Sequence, residues 1–125
     1  MANSPSIKII VHTEFLREQS EPAKNQFAFG YTITISNFGN LSARILRRHW
    51  IITDSNGSAQ EVYGEGVVGE QPLIHPGKSY TYTSGAILPT PVGTMEGTYT
   101  LINDLGDYFD AAISPFRLAM PELVH

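Results

Sequence analysis

The segment Gly64-Glu65-Gly66-Val67-Val68-Gly69 spaces its glycines as G-x-G-x-x-G, a pattern able to cradle a phosphate. In a dinucleotide-binding unit such glycines follow a strand and open a helix whose N-terminus faces the pyrophosphate. Here Pro72 and Pro76 follow closely, and a helix interior does not accept proline. The charges also have the wrong sign. Glu61, Glu65 and Glu70 flank the motif, and no lysine or arginine lies between Arg48 and Lys78. The glycines are expected to serve a chain crossing between sheets, through positive φ or close backbone approach. A backbone nest that binds phosphate is the alternative.

Arg44, Arg47, Arg48 and His49 form the one basic cluster. On a strand, Arg47 and His49 share one face and Arg48 and Trp50 the other. A cluster split between faces does not make a groove for a nucleic-acid backbone. It reads instead as rim arginines, or as a protein or anion contact. One arginine is expected to sit partly buried beside Trp50, held by a carboxylate. His12, His49, His75 and His125 lack metal-ligand spacing. Asn103, Asp104, Asp107 and Asp110 surround Gly106 but lack the ligand pattern of a calcium loop, and turn chemistry explains them better. No metal site, cofactor or catalytic residue is assigned. The chain has neither a G-x-S-x-G turn nor an H-E-x-x-H pair, although a Ser/His/Asp triad is recognised by geometry rather than by order.

The elements that would position these residues are strands. Phe27, Phe29, Tyr31, Ile33 and Ile35 alternate with small or hydroxyl residues, which places five large side chains on one face. A first strand runs through Ile7, Ile9, Val11 and Phe15. A third spans 43–54 and carries Trp50, the single tryptophan, as a core aromatic. Shorter strands are expected at 59–63, 78–84, 97–103 and 108–113. Asn56-Gly57 signals a hairpin with both central residues at positive φ, and Asn103 to Asp107 separates the last two strands in the same way. Pro76-Gly77 and the stretch 89–93 mark further turns. Seven short strands punctuated by turns make an all-β, two-sheet antiparallel sandwich, immunoglobulin-like or fibronectin type III-like. The domain is expected over 7–118, with loose tails at 1–6 and 119–125.

Composition agrees. A chain of 125 residues, 42% apolar, can bury a core without staples. The net charge of -4 argues against a dedicated nucleic-acid binder. The absence of cysteine removes disulfides, zinc-thiolate sites and thiol nucleophiles. The first residues carry one lysine and a short apolar stretch, unlike a secretory signal, and no apolar run reaches membrane-spanning length. No membrane contact is expected, and a cytoplasmic location is the default.

Several segments together resemble the ApaG protein family. They are Arg48 to Asp54, Gly64 to Pro72, Tyr82 to Gly85, Pro91 to Tyr99 and Pro115 to Leu118. They stand in the family's order over nearly the whole chain from Ile7; Ala86 departs from the pattern, where relatives often carry cysteine. The resemblance implies a fibronectin type III-like sandwich in a bacterial cytoplasmic protein. It also implies an association with diadenosine tetraphosphate hydrolase and with magnesium and cobalt tolerance. Similar domains in eukaryotic F-box proteins and in a DNA polymerase-interacting protein look like partner-recognition modules. The family offers no catalytic residue to carry over.

The function expected on these grounds is a non-enzymatic protein-interaction module. The contact candidates are Arg47, His49, Gly64, Glu65, Gly66, Val67, Val68, Gly69 and Glu70. The alternatives are a small-molecule sensor, taking nucleotide, pyrophosphate or a divalent cation at the glycine-rich loop, and an undetected hydrolase.

Overall fold

Alternation along the chain sets two apolar faces against each other. The computed structural model describes residues 6–121. Its strands are β1 (Ile7–Phe15), β2 (Phe27–Asn37), β3 (Ala43–Asp54), β4 (Ala59–Glu65), β5 (Leu73–Ile74), β6 (Ser79–Leu88), β7 (Val92–Asn103) and β8 (Tyr108–Ala119). One sheet has the order β1-β2-β6; the other runs β4-β3-β7-β8, with β5 added beside the start of β3. Every pairing is antiparallel. This is the all-β sandwich expected from the sequence.

The core fills the space between the sheets. Phe27, Phe29, Tyr31, Ile33 and Ile35 of β2 are buried against Ile45 and Trp50 of β3, Tyr99 and Leu101 of β7, and Ile113 and Leu118 of β8. Trp50 is 3% exposed. Its ring meets Tyr31 at 5.6 Å and Phe116 at 5.8 Å between centroids, both edge-on, an arrangement favoured by the ring quadrupoles.

Four features differ from the sequence reading. Ala28 and Gly30, expected on the solvent face of β2, are buried. The connection between β1 and β2 folds over them: Leu16 N donates to Ala28 O, Ala28 N donates to Ser20 Oγ, and Leu16 lies 3.6 Å from where a Gly30 Cβ would stand. Strand β5 has only two residues, too short to show a period. Strands β6, β7 and β8 outrun the expected 78–84, 97–103 and 108–113, reaching on to Leu88, back to Val92 and on to Ala119. Strand β8 accommodates Pro115 through a bulge: Met95 pairs with Phe116 and Gly97 with Ile113, leaving Ser114-Pro115 opposite Glu96.

The turns differ in type as well. Gly57 alone takes positive φ in the β3–β4 hairpin. Its N–H donates to Asp54 O, while Asp54 Oδ1 accepts from Asn56 N and Ser58 N. The Asp54 side chain thus holds a three-residue loop that ends in a left-handed glycine. Asn103 and Gly106 repeat the device between β7 and β8. The expected tails fall largely outside the described residues. The last turn is tied back where Met120 N donates to Pro91 O.

Candidate functional site

Register brings together side chains that are far apart in sequence. On the outer face of the five-stranded sheet, Glu65, Arg47, Thr100 and Asp110 stand in one row across β4, β3, β7 and β8. Tyr63, His49, Thr98 and Ala112 form the next row. Leu46 is an extra residue in β3 relative to β7, and this bulge fixes the parity that turns Arg47 and His49 outward. Between the rows lies an open cleft of about 520 Å³ lined by Arg47, His49, Tyr63, Glu65, Thr98 and Asp110, among others.

The cleft's polar groups are unequally engaged. His49 stacks on Tyr63 with centroids 4.3 Å apart and planes 5° from parallel. His49 Nε2 lies 2.7 Å from Glu61 Oε1, which also accepts from the Tyr63 hydroxyl at 3.1 Å. The hydrogen bond with His49, then that from Tyr63, hold the Glu61 carboxyl below its usual range; the bond to Glu61 raises the Tyr63 phenol. Thr100 Oγ1 donates to Asp110 Oδ1 at 3.0 Å. Arg47 is exposed, and its guanidinium makes no hydrogen bond or ion pair with a described residue. A planar five-donor fork therefore stands free beside a flat aromatic stack.

Arg48, one residue on, turns the other way. The carboxylate expected to hold such a half-buried arginine is absent; Arg48 Nη1 donates instead to the carbonyls of Glu65, at 3.0 Å, and Gly66, at 2.9 Å. The glycine motif is built around it, and instead of crossing between sheets, as expected, it joins β4 to β5 of the same sheet. A Cβ on Gly64 would stand 2.5 Å from Arg48 Cζ, and a Cβ on Gly66 would overlap Glu70 O. Val68 and Gly69 take φ 41° and 82°, and Val67 and Glu70 exchange both main-chain hydrogen bonds around them. Two central residues at positive φ inside such a pair are the pattern of a type I′ turn. Val67 is 0% exposed and belongs to the core, so it anchors the loop and offers no contact. Gly66 N donates to Leu46 O, and Glu70 Oε1 accepts from the Tyr80 hydroxyl. The amides of Gly66, Val67 and Glu70 are all spent inside the fold.

Of the residues singled out in the sequence, Arg47, Arg48, His49, Gly64, Glu65 and Asp110 line the cleft, while Gly66 to Glu70 form the adjoining hairpin. Tyr63, Thr98 and Thr100 were not among them, and Asp110 was weighed only as part of the turn around Gly106. Tyr63 carried a signal, since Glu61, Tyr63 and Glu65 alternate on one strand face, but the β7 and β8 residues needed the register.

Two further clusters bear on chemistry. Ser42 Oγ lies 2.9 Å from His75 Nδ1, yet Ser42 is 8% exposed and the nearby Asp104 carboxylate accepts from Ser42 N instead of orienting the imidazole. The third part of a nucleophile triad is not in place. Asn103 is committed to its turn, Asp104 to Ser42 N and Asp110 to Thr100. Among the described residues no group of three histidine or carboxylate side chains could hold a metal ion, and no helix is long and apolar enough to cross a membrane.

Comparison with known proteins agrees with this fold over nearly the whole chain. The ApaG domain family matches residues 17–103. The Protein ApaG of Pseudomonas syringae pv. tomato is 55% identical over 119 residues, covering 95% of this chain and 94% of the relative. A structural-genomics X-ray structure superposes with a TM-score of 0.93 at 51% identity, covering 98% of this chain and 92% of its own. A structure described as an ApaA protein from Bordetella pertussis gives 0.90 at 48% identity, over 92% of this chain and 94% of that one. None of these names states a reaction. The chain belongs to the ApaG family.

Proposed function

We propose that the chain is a protein-interaction module whose contact surface is the outer face of the five-stranded sheet, centred on Arg47. The observation that carries this reading is the unpaired Arg47 guanidinium, exposed in an open cleft beside the His49–Tyr63 stack. Arginine and aromatic side chains are the residue types that dominate binding energy at protein contacts. The sensor alternative draws on the glycine motif, but a phosphate cradle needs several convergent free amides. Those of Gly66, Val67 and Glu70 are bonded within the fold, which leaves only those of Val68 and Gly69 at the hairpin tip. A link to diadenosine tetraphosphate metabolism and to magnesium and cobalt tolerance belongs to the same proposal. The module would act there through a partner and not through turnover, in the cytoplasm.

A photo-crosslinking residue placed at position 98, on the cleft floor, tests the reading in cells. It should yield a defined protein adduct that disappears in Arg47→Glu, while the same probe at position 83, on the opposite sheet, yields none. Equal adducts from both positions, or a position-98 adduct indifferent to Arg47→Glu, would count against the cleft.

A further inference from the structure

Strand β4 is an edge of its sheet, paired with β3 on one side and with no described strand on the other. Bonds from Asp54 N to Ser58 O and from Gly66 N to Leu46 O bracket the β3–β4 ladder. Bonded positions alternate in an antiparallel pair, so Gln60, Val62 and Gly64 turn their main-chain groups to β3. Glu61, Tyr63 and Glu65 turn theirs outward. Glu65 O is satisfied by Arg48, which leaves the N–H and C=O of Glu61 and Tyr63 facing the open edge. Natural edges are blunted by shortness, by charged side chains such as Glu61 and Glu65 here, and by proline or a bulge. The far edge of the same sheet, β8, has both at Ser114-Pro115. Strand β4 has neither, and pairs with β3 without a break over its seven residues.

The side chains beside those open groups decide what can pair there. Glu61, Tyr63 and Glu65 are exposed on the outer face, Tyr63 at 72%. A second copy docking its β4 antiparallel about Tyr63 would set Glu61 against Glu65 twice, and directly opposed like charges destabilise a sheet. The edge therefore disfavours its own kind. A strand with lysine or arginine opposite both glutamates and a ring opposite Tyr63 gains two opposite-charge pairs and an aromatic pair along the same face. We infer that the β4 edge docks a basic β-strand of a partner protein, one carrying the alternation basic–x–ring–x–basic. The inference rests on the interaction-module reading and adds main-chain pairing beside the Arg47 cleft.

Two synthetic peptides, titrated against the full chain with amide hydrogen exchange as the readout, test it. One carries lysines flanking a phenylalanine at alternate positions with threonine between; the other replaces the lysines by glutamates. The lysine peptide should slow exchange at the Glu61 and Tyr63 amides and bind at least about tenfold tighter than the glutamate peptide. In Glu61→Lys/Glu65→Lys that order should reverse. A lysine peptide N-methylated on alternate residues keeps its charges but cannot extend the sheet, and should lose the protection. Protection missing from β4, or surviving N-methylation, would overturn the inference. Its failure would leave the cleft standing, because the position-98 crosslink does not depend on the edge. Edge docking that persists while that crosslink proves indifferent to Arg47→Glu would instead remove the cleft alone.

Discussion

The buried hydroxyls of Tyr82 and Tyr99 share one hydrogen bond across the two sheets. Burial pushes the Tyr82 phenol up to about 12 and raises Tyr99 further, with Arg48 pulling both the other way. Each proton is held more tightly in the fold than in the unfolded chain, where a phenol titrates near ~10. The associated stability is complete below pH ~10 and is lost as pH climbs through about 12. Denaturant titrations at rising alkaline pH should therefore show a falling unfolding free energy, and Tyr82→Phe/Tyr99→Phe should flatten that fall. Either single phenylalanine leaves a buried hydroxyl unpartnered, at a cost of about 1–3 kcal/mol, whereas the double variant should be nearly neutral. Trp50 is simpler: truncation to alanine should cost about 3–5 kcal/mol, and a loss well under ~1 kcal/mol would contradict its central packing. Its burial could be read from its place as the single tryptophan in the third strand of a sandwich. The carbonyl partners of Arg48 could not, because they belong to a loop whose path only the folded chain defines.

At the level of elements, the glycine-rich hairpin after β4 is explained by packing. Gly66→Ala should destabilise the domain, since its Cβ would meet Glu70 O and the position holds φ 60°. Thermal melts check this, and a variant that melts with wild type would remove the close-approach argument. Val68 tests the turn itself. A β-branched residue at φ 41° is strained, and Val68 is 52% exposed with a side chain that adds little to the core. Val68→Asn creates the Asn-Gly pair that type I′ turns favour, and should raise stability by about 1 kcal/mol. Asn56-Gly57 carries that very dipeptide, yet Asp54 captures two loop amides there and selects a different turn. Turn chemistry was legible as the presence of a hairpin, not as its type. Which turn forms depends on the neighbouring side chain as much as on the dipeptide.

Over the whole molecule, period-two alternation was enough to give the sandwich. Alternation marks which face of each strand is apolar, and two such faces have few ways to meet. The cleft was only half legible. Arg47 and His49 could be placed on one face by parity, and the β3 bulge lies before them, so it left that parity intact. Thr98, Thr100 and Asp110 reach the cleft through cross-strand register, which no local pattern encodes. That Arg47 has no partner among the described residues is a property of the assembled face alone. The most direct test of the account is the affinity of the partner identified through the position-98 crosslink for Arg47→Glu, measured beside Thr34→Glu on the opposite sheet. Binding should be at least about tenfold weaker for Arg47→Glu, a loss of ~1.4 kcal/mol or more, with an unchanged melting temperature and full affinity in Thr34→Glu. A stable Arg47→Glu that binds as tightly as wild type would contradict it.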